Sequence, residues 1–357
     1  MTVPIQISAW NLNGFRSRIL GDKLCDPSFL NEIKNDDVIA LVETHNSDKN
    51  DTLSIPGYTR IKVKNRKETS KTKKSNKNSG GLALFAKTKI AKFLVPINND
   101  NKDTIWIKIK KEILDKEHDV YIGTVYLPPH RNNQDSSKKI LDLFEEILHF
   151  QKKGKVIVQG DFNARTNVIG DNVTADKYDN SFIENPLIDI PIRNSEDKAP
   201  PDYRGKELVE LCKTLELVAL NGRKVGDLFG KFTSLQWNGS SVVDYVFVDQ
   251  SLFSSISFFE VGNFIPWISD HCVIRFQLET CMVDNQSDIQ GGERLDSLFW
   301  GEDSHDKFMG LLRTHEQEIS ETLAAAPNTN VLEKFQNIVK SVVEEGNFRK
   351  SKKKSLE

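Results

Sequence analysis

The sequence predicts an α+β fold: a four-layer α/β/β/α sandwich of two mixed β-sheets flanked by helices, followed by a small helical C-terminal segment. Three observations lead there. Short apolar or alternating segments of strand length recur throughout the first 281 residues. Amphipathic helical patterns stand between only some of them, without the strict strand–helix alternation of a doubly wound parallel sheet. A polar, glycine-containing stretch over residues 282–295 then separates this region from two further helical patterns in residues 296–357.

The segments that read as strands are 4–9, 38–42, 58–63, 81–86, 104–109, 120–126, 156–159, 242–248 and 273–278. In "SSKKILDLFEEILHFQKK" the side chains Ile140, Leu143, Phe144, Ile147 and Leu148 share one helical face, and Ser136 or Ser137 can cap its start. In "RGKELVELCKTLEL" the face is Leu208, Leu211, Cys212 and Leu215. Beyond the linker, one helix is expected on Phe308, Leu311, Leu312, Ile319 and Leu323, and another on Val331, Phe335, Ile338, Val339 and Val342. Asn330 with Glu333 makes a capping pair for the second, and Gly346 a stop. The basic end "FRKSKKKSLE" reads as a frayed tail, with a localisation signal as the alternative.

Composition bounds the function. Of the 357 residues, 28% are charged and 38% hydrophobic, as in a globular chain, and the net charge is -2. Affinity for nucleic acid therefore has to come from local patches. The four cysteines, Cys25, Cys212, Cys272 and Cys281, form no CxxC pair, which speaks against a zinc ribbon. No signal peptide is expected from "MTVPIQISAW", and no apolar run is long enough to span a bilayer. One local patch is strongly basic: "KNRKETSKTKKSNKN", residues 64–78, expected as a mobile loop joining two strands. It is either solvated surface or a DNA-facing loop that uses Lys71, Lys73 and Lys74.

The polar residues at the expected strand ends carry the chemistry. Asn11 and Asn13 follow the first strand in "AWNLNG", and Glu43 ends "VIALVETH". Tyr126 closes the strand in "YIGTVYLPP", and Asp161 and Asn163 close "VIVQGDFN". Asp244 opens "DYVFVD", while Asp270 and His271 precede "CVIRFQL". Alone, an Asp, Glu or Asn at a strand end reads as a turn residue, and a lone His as a satisfied surface or core group. Together they supply carboxylates, amides, a phenol and an imidazole at ends that adjacent strands can bring together, the inventory of a metal-assisted phosphoryl transfer.

In their order, "NLNG", "ETH", "VYLPP", "GDFNAR", "VDYVFV" and "SDHCVI" resemble the endonuclease/exonuclease/phosphatase superfamily over residues 5–279. Three further phrases, "LNGRKVGDLFGKFTSLQWNGSSVVDYVFV", "GDFNART" and "LFWGEDSHDKF", resemble the N-terminal endonuclease domain of non-LTR retrotransposon polyproteins. The resemblance implies residues 1–281 as the nuclease domain and residues 296–357 as the start of the linker to a reverse transcriptase. It also implies a DNA substrate, a magnesium cofactor for which manganese can substitute, and a nuclear location. By the same resemblance Glu43 is the main metal ligand, with Asn11 and Asp270 on the metal side. Asp161 activates the attacking water, Asn163 and Tyr126 hold the phosphate, and Asp244 orients His271 against it. Asn13 and Thr233 stand on the substrate side. The activity so implied is a nick that leaves a 3′-hydroxyl to prime reverse transcription. Asn13 stands where abasic-site endonucleases carry an aspartate, which speaks against the alternative of a repair enzyme. A catalytically inactive nucleic-acid-binding remnant is the third reading, and the filled catalytic stations speak against it.

Overall fold

The computed structural model describes residues 3–46, 52–65, 80–114, 117–129, 132–168 and 190–281, together with 304–317, 319–320, 337–339, 341–342 and 345–346. Lys71, Lys73 and Lys74, the polar linker 282–295, the Asn330–Glu333 pair, Leu323, Val331 and Phe335 lie outside the described residues. The chain divides into two compact units, Met1–Asn285 and Gln286–Glu357.

In the first unit the strands are β1 (Ile5–Asn11), β2 (Arg16–Ser17), β3 (Gly21–Asp22), β4 (Val38–Val42), β5 (Tyr58–Lys64), β6 (Leu82–Lys87), β7 (Leu94–Ile97) and β8 (Thr104–Ile109). They continue as β9 (Val120–Tyr126), β10 (Lys155–Asp161), β11 (Leu217–Ala219), β12 (Ser234–Gln236), β13 (Gly239–Ser241), β14 (Asp244–Asp249), β15 (Ile256–Val261) and β16 (Ile274–Leu278). The helices are α1 (Pro27–Ile33), α2 (Thr88–Ala91), α3 (Asn133–Gln151) and α4 (Tyr203–Thr214).

Two six-stranded sheets form, in the orders β15-β16-β1-β4-β6-β5 and β11-β14-β10-β9-β8-β7. Each is mixed around one parallel pair, β1 with β4 and β9 with β10. Side-chain alternation along the strands builds three apolar layers. Ile5, Ile7, Ala9, Val38 and Ala40 of the first sheet share a core with Ile107, Ile122, Ile157, Val246 and Val248 of the second. On the outer face of the first sheet, Trp10, Ile39, Leu41 and Phe85 pack with Phe29 and Ile33 of α1. On the outer face of the second, Trp106, Val156 and Val158 pack with Leu143, Ile147 and Phe150 of α3 and with Leu208 and Cys212 of α4. This is the expected α/β/β/α sandwich. Each fully buried Leu, Ile or Phe contributes about 1.5–3 kcal/mol to holding the layers together.

Several local expectations need correction. Ser136 is buried within α3; the helix is capped by Asn132, whose side chain accepts from Asp135 N. Leu148, expected on the core face, is half-exposed, and Phe150 takes the buried place in the last turn. Lys64 ends β5 and is no loop residue: its ammonium donates to Asn99 O, Asn101 O and Thr104 O, and burial lowers its pKa to about 8. β2, β3, β7, β11, β12, β13, β15, α1 and α2 are absent from the sequence reading. β7 carries Pro96, which belongs on an edge strand, and β7 is an edge. α1 has only seven residues, too few to show a period, although Asp26 and Pro27 form a clear start signal.

In the second unit α5 (Ser304–Thr314) places Phe308, Leu311 and Leu312 half-buried. Ile338 and Val342 are buried, His315 pairs with Glu345 at 3.3 Å, and Gly346 N donates to Val342 O.

Candidate active site

The C-terminal ends of β1, β4, β9 and β10 open at one end of the sandwich, and β14 starts there. Register does the assembling: Asp161, the last residue of β10, lies opposite Tyr126 of β9 on one side and Asp244 of β14 on the other. Gly160 makes this close fit possible. Its φ is +130°, and a Cβ there would lie 2.1 Å from Val125 O on β9.

Asp161 is 1% exposed and takes three hydrogen bonds. Asn11 Nδ2 donates to its Oδ2 at 2.8 Å, across from the other sheet. Asn163 donates twice, from its backbone N to Oδ1 at 2.8 Å and from Nδ2 to Oδ2 at 3.0 Å. The "GDFN" pairing is therefore both a turn and a clamp: Asn163, at φ +46°, folds back on the carboxylate that precedes it. Burial, and then the nearby Asp244 carboxylate, push the Asp161 pKa up to about 7, against the opposing pull of His271, Asn163 and Asn11.

His271 Nδ1 meets Asp244 Oδ2 at 2.8 Å, with both side chains buried. Burial alone would lower the imidazole pKa. Asp244, with Asp161 and Asp270 behind it, outweighs burial and raises the pKa to about 10. The ring is thus held as imidazolium, with Nε2 left as its uncommitted nitrogen. The backbone around it is fixed as well. His271 N donates to Ser269 Oγ, Ser269 Oγ donates to Asn11 O, and Trp10 Nε1 donates to His271 O.

Glu43 follows β4 in left-handed backbone at φ +52°, as does His45 at φ +53°. Such backbone costs on the order of 1–3 kcal/mol and concentrates at functional sites. The Glu43 carboxylate accepts from Tyr126 Oη, and its other oxygen lies 3.7 Å from His45 Nε2. Tyr126, expected to donate to a phosphate, directs its hydroxyl to Glu43 here. Asn11, expected on the metal side, gives its amide to Asp161 and accepts from Asn13 N. Asn13 and Gln236 both donate to Asp270. Thr233, expected on the substrate side, is fully buried. Its hydroxyl accepts from Val243 N and Asp244 N, so it anchors the start of β14.

Sequence reading missed four supporting residues. Asn221 brackets β14 by donating to Asp244 O and accepting from Val246 N. Arg204 of α4 donates to Pro128 O and Phe162 O, tying the ends of β9 and β10 together. Ser269 and His45 complete the set. Of these, Asn221, Ser269 and His45 stand inside quoted motifs, whereas nothing in the α4 pattern announces Arg204.

Asp161, Asp244 and His271 each place one ligand atom within 4.8 Å of the others. Two buried carboxylates face one imidazole there; burial first, and then the Asp244 charge, raise the Asp161 pKa. Glu43 adds an oxygen donor at the neighbouring strand end. The carboxylate oxygens of this group suit a hard, oxygen-preferring divalent cation, whereas the His271 imidazolium is no ligand for one. Two cavities adjoin the site, one of about 270 Å³ lined by Asn163, Arg165 and His271, and one of about 440 Å³ lined by Asn13 and Asp270. A larger cavity of about 800 Å³ lies along α3; of its lining residues, Lys139 pairs with Asp103, and Glu146 accepts from Trp106 and Thr104.

The model of the Endonuclease/Exonuclease/phosphatase family matches residues 8–271. An AP endonuclease from Leishmania major superposes with a TM-score of 0.53 at 15% identity, covering 78% of this chain and 88% of its own. A 3'-5' exonuclease from Neisseria meningitidis gives 0.50 at 13% identity, covering 77% and 99%. The endonuclease domain of TRAS1, a telomere-specific non-LTR retrotransposon, gives 0.47 at 15%, covering 77% and 98%. At these identities the likeness is one of fold. No curated protein matches the chain in sequence. The chain belongs to the endonuclease/exonuclease/phosphatase family.

Proposed function

We propose that this chain is a divalent-metal-dependent DNA endonuclease of retrotransposon type, which nicks one strand of intact duplex and leaves a 3′-hydroxyl to prime reverse transcription. The observation that carries the hydrolytic reading is the convergence of Asp161, held by Asn11 and Asn163, with the Asp244–His271 pair at one set of strand ends. The retrotransposon reading rests on "LNGRKVGDLFGKFTSLQWNGSSVVDYVFV", "GDFNART" and "LFWGEDSHDKF".

In this reading the scissile phosphate sits between Asp161 and His271. Asp161, held near a neutral pKa, accepts the proton of the attacking water. Asn163 keeps that carboxylate aimed. His271, charged and oriented by Asp244, donates toward the phosphate oxygens and stabilises the negative charge that builds on them. Glu43 would hold the cation, with Asn11 and Asp270 ordering the groups around it. Magnesium, when bound, neutralises phosphate charge and favours ionisation of water.

The test is nicking of supercoiled plasmid with magnesium, with magnesium plus excess chelator, and by Asp161→Asn. The expected result is nicking that chelator abolishes and that the variant loses by roughly 10²–10⁴-fold while remaining folded. Undiminished nicking in chelator would overturn the metal mechanism.

A further inference from the structure

The cavity on the Asn13–Asp270 side has walls that the chemistry above does not use. One wall is the β2–β3 hairpin, which puts Ile19 at its tip, 95% exposed, beside the exposed Arg18. The other is the turn between β15 and β16, which puts out Trp267, 55% exposed, next to Pro266. Both walls are built rigidly. Ser17 Oγ accepts from Ile19 N at 3.2 Å and from Leu20 N at 2.8 Å, closing the hairpin turn. Ile268 N and Ser269 N both donate to Ile265 O, and the buried Ile265 and Ile268 anchor the turn beneath Trp267. Ser269 then ties this turn to Asn11 O of β1.

A β-branched apolar side chain at a hairpin tip and a half-exposed indole are poor choices for surface that meets only water. Both line one cavity together with Asn13 and Asp270, and apolar side chains sharing a cavity with a few polar groups are what a ligand site offers. What it binds follows from where it lies. The cavity floor includes Asp270, the residue before His271, and Asn13, which is bonded to Asp270 at 3.2 Å. Any strand whose phosphate lies between Asp161 and His271 must leave the site on both sides. On the Asn163–Arg165 side it meets a polar cavity, and on the Asn13–Asp270 side it meets this one. An indole face, an aliphatic wedge and a guanidinium suit a nucleotide, whose base stacks on the ring while Arg18 meets a backbone phosphate.

We propose that this cavity is a nucleotide subsite that takes the base flanking the scissile phosphate on the Asn13–Asp270 side, with Trp267 as stacking platform and Ile19 as wedge. The proposal rests on the reading of the site as a nuclease. It makes the two loops determinants of which DNA is cut, since a base drawn into the cavity must first unstack from its neighbour, and flexible steps resist that least.

The test compares wild type, Trp267→Ala, Trp267→Phe and Ile19→Ser on two substrates: a DNA duplex, and bis(p-nitrophenyl) phosphate, a small diester with no flanking base. Trp267→Ala is expected to raise KM for DNA by roughly 5- to 100-fold, the loss of one stacked base. Its hydrolysis of the small diester should be unchanged, and Trp267→Phe should restore most of the DNA activity. Ile19→Ser should shift which steps are nicked. Equal losses on both substrates, or no change on DNA, would overturn the subsite. Should wild type cleave neither substrate, the nuclease reading fails, and the subsite is then read from anisotropy of a fluorescent duplex. Weaker binding by Trp267→Ala supports it and equal binding overturns it.

Discussion

Gly160→Ala tests how the strands deliver Asp161. At φ +130° the backbone is in a region that L-residues rarely adopt, which alone costs on the order of 1–3 kcal/mol. The added Cβ would also sit 2.1 Å from Val125 O, with Val125 N at 3.0 Å. Both neighbours are backbone atoms of the paired strand β9, so no side chain can swing away. Reaching an ordinary separation of 3.4 Å requires β9 and β10 to part locally by about 1 Å. The neighbouring residue is Asp161, whose register with Tyr126 and Asp244 defines the site. The expected total destabilisation is about 3–5 kcal/mol, a large share of the roughly 5–15 kcal/mol typical of a domain. A shift of this size at the catalytic carboxylate should cost a further ~10²-fold in nicking by the fraction still folded. Urea denaturation followed by tryptophan emission gives the stability, and plasmid nicking at 25 °C gives the rate. Gly239→Ala is the control: its φ is +144°, but a Cβ there meets nothing within 4 Å, so only the backbone cost applies. Equal stability losses in the two variants would refute the steric cause, and an unaltered rate for Gly160→Ala would refute the link between strand spacing and the site.

Asp244→Asn keeps the shape of the pair and removes its charge. A folded His271 pKa of about 10 against an ordinary 6.5 means that the pair's stabilisation is complete below pH 6.5 and is lost as pH rises through about 10. In chelator, the urea midpoint of wild type should therefore fall between pH 6.5 and 10, and the variant's should fall less. Matching slopes would remove Asp244 as the cause. Arg204→Met should destabilise by roughly 2–4 kcal/mol, because the carbonyls of Pro128 and Phe162 lose their donor, as read from the urea midpoint. Neutralising Lys71, Lys73 and Lys74 together should weaken duplex binding and flatten its salt dependence, by up to about 0.9 in the log–log slope for each phosphate no longer neutralised. An unchanged slope would leave the basic stretch as solvated surface.

The sequence carried the layers because the central strands are buried on both faces or alternate cleanly: β4, β9 and β10 stand almost where their apolar runs place them. Edge strands were harder, since a half-exposed strand such as β7 has neither a continuous run nor a clean alternation. Strand-end carboxylates and amides gave the site's members. Their partnerships are set by register between segments far apart in the chain, which no local pattern encodes. Tyr126 pairing with Glu43, Thr233 turning inward under β14 and Arg204 reaching from α4 to two strand ends are all of that kind.

Metal-dependent nicking of undamaged DNA is the activity on which the proposed role stands, and a single experiment decides it. An end-labelled duplex, with and without a single abasic site, is incubated with protein and magnesium or with chelator, and the nicked product is offered to a DNA polymerase. The expected outcome is magnesium-dependent nicks on the undamaged duplex, concentrated at flexible pyrimidine–purine steps, whose ends polymerase extends. Cleavage confined to the abasic site would contradict this in favour of repair, and nicks that polymerase cannot extend would contradict the priming role.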